Sequence, residues 1–397
     1  MLSKIVGGDV LDAPCSVELL SYGKIADKYI KQLRDFYTID NFSAAPESAA
    51  DFCIFLFGEK INRNMSLFFC QSFSILDKKR RDGMCTAIAY SGSGFYFGRN
   101  MDLDRSFGER VVVTPRNYRF AFRKTAPFAQ HYAMIGMAAV ADGYPLYADA
   151  ANEKGLCMAG LNFPDNAYYP DRYEPKKQNV SPFELIPWVL GQCETLDQAR
   201  DLLEETHLIA ISFSGELPLT PLHWMIADAS GSLVLESTQE GLELYENPMG
   251  VLTNNPPFPF HVANLAHYAG LSNRRPSDEI FSSMGTSPFG LGLGAVGLPG
   301  DFSSASRFVK AAWLRRTVTC SSETECVPQV FRILSAVAPL KGSVLTDDGR
   351  EHYTTYSACI DTARGRYHYR TYDRVETRTA DLHAAELNGD RLIETML

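Results

Sequence analysis

Positive charge is in short supply. Against 47 acidic side chains stand 38 lysines and arginines, a formal net charge of −9 over 397 residues. That leaves no single-sign basic field to neutralise phosphates, so nucleic acid is not an expected partner. Long apolar runs are missing too. No uncharged stretch reaches the roughly 20 residues that a membrane-spanning helix requires, and no membrane insertion is expected. The residues after Met1-Leu2-Ser3-Lys4 lack a continuous apolar run and small-residue cleavage site, so they do not read as a secretory leader. Repeats and low-complexity tracts are absent. The cysteines number nine, an odd count without paired short spacings, which argues for reduced thiols in a cytoplasmic protein. His261 and His267 lack the short helical spacing of a zinc pair, and His223 beside Trp224 reads as structural, so no metal or other cofactor is implied. Gly292-Leu293-Gly294-Ala295-Val296-Gly297 satisfies a G-x-G-x-x-G expression, yet no apolar strand of a βαβ unit precedes it. A nucleotide-binding reading is therefore set aside.

What is present is core material: 45% of residues are hydrophobic and 21% charged, the balance of a globular protein. Residues 1–84 hold apolar clusters at Phe52–Phe57 and Leu67–Cys70, then the basic run Lys78-Lys79-Arg80-Arg81. They carry no recognisable chemistry. This extension reads as a propeptide, as a folded accessory segment, or as the product of an upstream start codon ahead of a true initiator at Met84; in the first and last cases it is absent from the mature protein. From Cys85 onward strands dominate. Thr86–Tyr90 and Phe95–Phe97 flank Ser91-Gly92-Ser93-Gly94 as a hairpin, with Cys85 opening the first strand. Further strands are expected at Arg110–Val113, Tyr132–Met137 and Gly155–Asn162. Trp224–Ala227 and Leu233–Glu236 flank a second hairpin turn, and two late strands meet at Thr362–Gly365. Ser181-Pro182-Phe183-Glu184 has the order of a capping box and predicts a helix through Leu190. Thr195–Gln198 predicts another, to about His207, and helices follow near 304–316 and 323–337. Strands alternating with paired helices favour a layered α+β architecture.

The blocks Cys85-Thr86, Gly98-Arg99-Asn100-Met101-Asp102, Asn152–Leu156, Ala159–Pro164, Leu222–Met225, Leu252-Thr253-Asn254, Gly297–Phe302 and Ala305-Ser306-Arg307-Phe308 stand in one order along the chain. Together they resemble the choloylglycine hydrolase family, that of bile salt hydrolases and penicillin V acylases. The resemblance covers residues 85–397 and excludes 1–84. It implies the N-terminal nucleophile hydrolase fold, a four-layer αββα sandwich of two antiparallel sheets between helical layers, and a homotetramer.

It also implies roles. Cys85, as first residue of the mature domain 85–397, attacks an amide carbonyl with its thiolate while its own α-amine accepts the thiol proton. Reference pKa values near 8.5 and 7.7–8.0 make those groups nucleophile and base. Arg99 matches an arginine whose permanent charge favours thiolate and contacts substrate. Asp102 matches the carboxylate that orients the α-ammonium form. Asn162 and Asn254 match the oxyanion pair, and Arg307 a second active-site arginine. Met101, Ala141 and Asn162 fall where the family lines its substrate site. Asn162 stands where bile salt hydrolases usually carry asparagine and many penicillin V acylases tyrosine, which favours conjugated bile salts as substrates. Ala141 departs from the bulky aromatic of some relatives. Penicillin V or another N-acyl amide is the alternative substrate, and a catalytically silent steroid-binding protein the alternative class if the extension stays attached.

If Met84 is the initiator, Arg80 and Arg81 should be encoded AGG-AGG, a ribosome-binding sequence two codons upstream. Other arginine codons in the gene would remove that argument.

Overall fold

Residues 83–395 are described in the computed structural model, with Ala129 and residues 278–280 excepted. The chain divides into two units, Met1–Arg80 and Arg81–Leu397. All of the extension except Gly83 and Met84 lies outside the described residues.

The second unit begins with the expected hairpin, β1 (Met84–Ser91) and β2 (Phe95–Leu103), in which Ser91 faces Phe95 across the turn. Strands β3 (Arg110–Thr114), β4 (Met134–Ala141), β5 (Tyr144–Asn152) and β6 (Cys157–Asn162) follow. Next come β7 (Gln178–Val180), helix α1 (Leu185–Gln192), helix α2 (Leu196–Glu204) and β8 (Thr206–Leu208). Strands β9 (Leu222–Asp228), β10 (Gly231–Thr238), β11 (Gly241–Glu246) and β12 (Val251–Leu252) lead to helices α3 (Phe258–Asn264), α4 (Ser304–Thr317) and α5 (Glu323–Ser335). The chain closes with β13 (Tyr353–Asp361), β14 (Arg366–Thr371), β15 (Arg374–Asp381) and β16 (Ile393–Thr395).

Two antiparallel sheets result. One has the order β12-β1-β2-β13-β14-β15, the other β11-β10-β9-β6-β5-β4-β3-β16. Strands that are apolar on both faces need a cover on both sides. β1 and β2 are buried along nearly their whole length because the second sheet lies against one face and α4 and α5 against the other. The outer face of the eight-stranded sheet buries Val112, Met158, Trp224 and Leu235 against α1 and α2 in a second core. The layer order is therefore helices, sheet, sheet, helices, the expected α+β sandwich.

Three readings shift. The Ser181 segment starts as a short 3-10 turn, Pro182–Glu184, in which Glu184 Oε2 accepts the Ser181 N–H at 2.9 Å, and the α-helix proper runs from Leu185. The Thr195 helix ends at Glu204, because Thr206–Leu208 pairs in parallel with β7 instead of adding a turn. Cys320 and Cys326 form a disulfide across the N-terminus of α5, against the expectation of reduced thiols throughout; Cys85, Cys157, Cys193 and Cys359 are free and buried. Among the described residues no helix is long and apolar enough to cross a membrane.

Gly136 of β4 marks where the eight-stranded sheet tolerates no side chain. A β-carbon there would fall 2.0 Å from the Asp149 carbonyl oxygen and 2.6 Å from Ala150 Cα, both main-chain atoms of β5. Gly136→Ala should lower stability by about 1–3 kcal/mol, the usual cost of forcing a methyl into a filled interior. An unchanged denaturant midpoint would show that β5 yields freely.

Candidate active site

Cys85 stands opposite Met101 in the β1–β2 ladder, and Ala87 opposite Arg99. Facing residues of an antiparallel pair share a face, and successive residues alternate. Cys85, Arg99 and Met101 therefore point toward the eight-stranded sheet, while Thr86, Asn100 and Asp102 point toward the helices. Asn100 Nδ2 accordingly donates to the Leu334 carbonyl of α5 at 2.9 Å.

On the inner face, Arg99 Nη2 donates to Cys85 Sγ at 3.2 Å and lies 3.5 Å from Met101 Sδ. Its Nη1 donates to the Ala148 carbonyl at 2.6 Å and sits 3.5 Å from Asp149 Oδ2 of β5, so the guanidinium spans the two sheets. Asp149 is held in turn by the hydroxyls of Tyr356 and Tyr367, each at 2.6 Å. Burial opposes the Arg99 charge, but Tyr356, Cys85 and Asp149 outweigh it and hold the guanidinium above its ordinary value. Burial pushes the Asp149 carboxyl up, against the Arg99 charge and both tyrosine hydroxyls. A buried cation thus sits beside a buried free thiol.

A second knot holds the Cys85 backbone. Its N–H donates to Asn254 Oδ1 at 2.9 Å. Arg307, from the first turn of α4, donates through Nη1 to the Cys85 carbonyl at 2.5 Å and Thr86 Oγ1 at 2.8 Å, through Nη2 to Asn254 Oδ1 at 2.7 Å, and through Nε to the Phe302 carbonyl at 2.9 Å. Burial lowers its pKa, with Asp102 and Cys85 acting in the opposite sense. Asn254 Nδ2 donates to the Asn162 carbonyl at 2.7 Å, joining the last residue of β6 to the cluster. Five of the expected residues, Cys85, Arg99, Asn162, Asn254 and Arg307, are thus linked through direct hydrogen bonds, with Met101 against the sulfur.

Asp102 lies apart from the thiol, on the helical face of β2. Thr354 Oγ1 donates to its Oδ1 at 2.6 Å, and the Cys85 N–H donates to Asn254 Oδ1 instead. Burial raises the Asp102 carboxyl from 3.8 to about 6, against Arg307, Thr354 and Arg99. Ala141 closes the β4–β5 hairpin opposite Tyr144 and takes no part in these contacts. Gly83 abuts the cluster: a β-carbon on it would fall 2.5 Å from Asn162 Nδ2. Sequence reading missed Asp149, Tyr356 and Tyr367. A polar residue inside the otherwise apolar strand Tyr144–Asn152 was the available signal for the first; nothing local marks the tyrosines. Among the described residues no group of three His, Cys, Asp or Glu side chains is placed to hold a metal ion.

A profile of linear amide C–N hydrolases, choloylglycine hydrolase family, matches residues 85–395, and its first matched residue is the cysteine at the centre of this cluster. The chain belongs to the choloylglycine hydrolase family. Among its members, the bile salt hydrolase/transferase of Lactiplantibacillus plantarum is 45% identical over 311 residues, covering 78% of this chain and 96% of the relative. The corresponding Clostridium perfringens enzyme is 36% identical over 78% of this chain and 95% of its own. The crystal structure of an arginine-to-leucine variant of conjugated bile acid hydrolase from Clostridium perfringens superposes with TM-score 0.73 at 34% identity, over 79% of this chain and 97% of that one. Penicillin V acylase from Agrobacterium tumefaciens, at 21% identity and TM-score 0.62 over 78% and 90% of the two chains, shares the fold. As a choloylglycine hydrolase family member, the chain is a hydrolase of linear amide C–N bonds.

Asp102 gives the site a pH signature. Its carboxyl is raised in the folded state from 3.8 to about 6, so between those values the folded protein keeps a proton that the unfolded chain has released. This contribution to stability is therefore present at low pH and lost as pH rises through that window, Asp149 acting in the same sense. From about pH 4 to about pH 7, Asp102→Asn should gain about 2–3 kcal/mol of stability relative to the parent protein. Denaturant midpoints across that range check it, and a constant difference between the two proteins would count against the assignment.

Proposed function

We propose that the chain cleaves the amide bond of glycine- and taurine-conjugated bile salts, with Cys85 as nucleophile once it is the first residue of the chain. The observation that carries this reading is the double anchoring of Cys85. Its sulfur lies 3.2 Å from the Arg99 guanidinium and its own nitrogen 2.9 Å from Asn254 Oδ1. A thiol and an amine held on one residue form a nucleophile–base pair. The identities to enzymes named as bile salt and conjugated bile acid hydrolases support the substrate class.

In this mechanism the α-amine takes the thiol proton, and the thiolate attacks the amide carbonyl carbon. The carbonyl π electrons move to oxygen, where Asn162 and Asn254 stabilise the charge; one such donor is typically worth about 2.7–4 kcal/mol. Collapse breaks the C–N bond, the amine leaves with the proton, and a thioester remains. Water, deprotonated by the same α-amine, attacks the thioester, releases the bile acid and restores the thiol. Asp102 supplies buried negative charge for the ammonium form. Arg99 contacts substrate beside the sulfur, and Met101 with the segment around Ala141 forms the apolar wall that a steroid requires.

Removal of residues 1–84 serves two ends in this reading. It converts the Cys85 amide nitrogen into a basic amine, and it takes Gly83 off the Asn162 amide. If the extension is retained, the contact between Gly83 and Asn162 favours the second reading, a silent binder of steroids or acyl amides. A cytoplasmic homotetramer completes the proposal, drawn from the family resemblance.

Protein expressed from the native gene should begin at Cys85 by intact mass and N-terminal sequencing, and should release glycine from glycocholate or taurine from taurocholate. Cys85→Ala should abolish release. A stable chain beginning at Met1 and releasing neither amine would overturn the mechanism.

A further inference from the structure

Behind Asn254 lies a buried polar pair that the mechanism does not use. His223 of β9 and Glu236 of β10 are both fully buried, with Nδ1 2.9 Å from Oε1. The other ring nitrogen, Nε2, lies 2.9 Å from the Thr253 carbonyl. A carbonyl can only accept, so Nε2 carries the hydrogen of that bond, and Nδ1 meets the carboxylate. Glu236 in addition accepts the Phe258 N–H, at 3.0 Å through Oε1 and 3.2 Å through Oε2. The pair therefore grips both ends of the segment Thr253–Phe258, and Asn254 lies within it. The middle is fixed as well: the Asn254 N–H donates to Ser304 Oγ at 2.8 Å, and His261 Nε2 donates to the Asn254 carbonyl at 2.8 Å.

The same imidazole reaches the other asparagine. Phe163 follows Asn162 directly, and its ring stacks on His223 with centroids 4.3 Å apart and planes 6° from parallel. In the β6–β9 ladder, Leu161 faces His223 and Asn162 faces Leu222. One ring thus touches the two chain segments that bring Asn162 and Asn254 together.

We infer that His223, oriented by Glu236, is the positioning residue of this pair of asparagines, acting on Asn254 through the Thr253 carbonyl and on Asn162 through the bond from Asn254 Nδ2 to its carbonyl. The inference rests on the assignment of the two asparagines as oxyanion donors. Burial of two polar side chains in an interior is costly unless every hydrogen bond is made, and here the bonds made are those that set the loop. A displacement of about 1 Å at a stabilising donor is enough to cost on the order of a hundredfold in rate.

Two polar replacements separate positioning from packing. Glutamine at 223 keeps an N–H near the place of Nε2 and can still meet the Thr253 carbonyl; asparagine reaches only as far as Nδ1 and leaves that carbonyl unmet. His223→Asn should lower kcat for glycocholate by about tenfold to a hundredfold with KM within about threefold. His223→Gln should stay within about fivefold of the parent kcat. Hydrogen exchange read by mass spectrometry should show segment 253–258 opening faster in the asparagine variant alone, with hairpin 222–238 unchanged in both. Equal losses of kcat in the two variants, or an asparagine variant with parental kcat, would overturn the inference. Parent protein that releases neither glycine nor taurine sinks the hydrolase reading alone. The exchange comparison then decides: faster opening confined to 253–258 in the asparagine variant supports the positioning role, and its absence defeats it.

Discussion

The contact on which this architecture turns is the buried approach of Arg99 to Asp149. The arginine belongs to the six-stranded sheet and the aspartate to the eight-stranded one, so the pair crosses the apolar interior between them. Two charges withdrawn from water are tolerated only when their remaining hydrogen-bonding capacity is met. Tyr356 and Tyr367, from the same sheet as Arg99, meet it on the aspartate side, and the Ala148 carbonyl meets part of it on the arginine side. Directionless packing would let the sheets slide by a fraction of a residue. This cluster gives the interior a direction, and it leaves one guanidinium nitrogen aimed at the Cys85 sulfur.

Arg307 does for the backbone what Arg99 does for the side chain. It links the start of β1 to the loop after β12 from a helix on the opposite side of the sheet, so the position of Cys85 is set from both faces of one strand. A cysteine at a free chain end would ordinarily fray. Here the Cys85 carbonyl is clamped by an arginine and its nitrogen by an asparagine, so under the proposed maturation the new terminus would keep the anchoring of an interior position.

Much of this was legible in the residues, for physical reasons that differ from place to place. The β1–β2, β9–β10 and β13–β14 hairpins follow from Gly- and Asp-containing turns between apolar strands, where local chemistry fixes the register. Cys85, Arg99, Asn162, Asn254 and Arg307 were found through the blocks in which they stand, because a site assembled from several strand ends leaves a short signature at each. Asp149, Tyr356 and Tyr367 were not. Their meaning lies in a meeting across some 200 residues of chain, and each alone looks like an ordinary strand residue. The three-residue strand Thr206–Leu208 escaped for a different reason: the capped pattern of the preceding helix carries through it, and only pairing with β7 ends the helix. Cys320 and Cys326 were read as reduced because a spacing of six residues says nothing about geometry, whereas the turn entering α5 brings the two together.

The fit of Gly83 against Asn162 has a practical side for anyone who handles this protein. Gly83 lies against the Asn162 side chain, so under the proposed mechanism an affinity tag, fluorescent fusion or surface linker placed at that end would block the activity it was meant to report on. The opposite terminus follows β16, at the edge of the eight-stranded sheet. Purification handles and immobilisation chemistry belong there, where they burden an outer strand and leave the thiol clear.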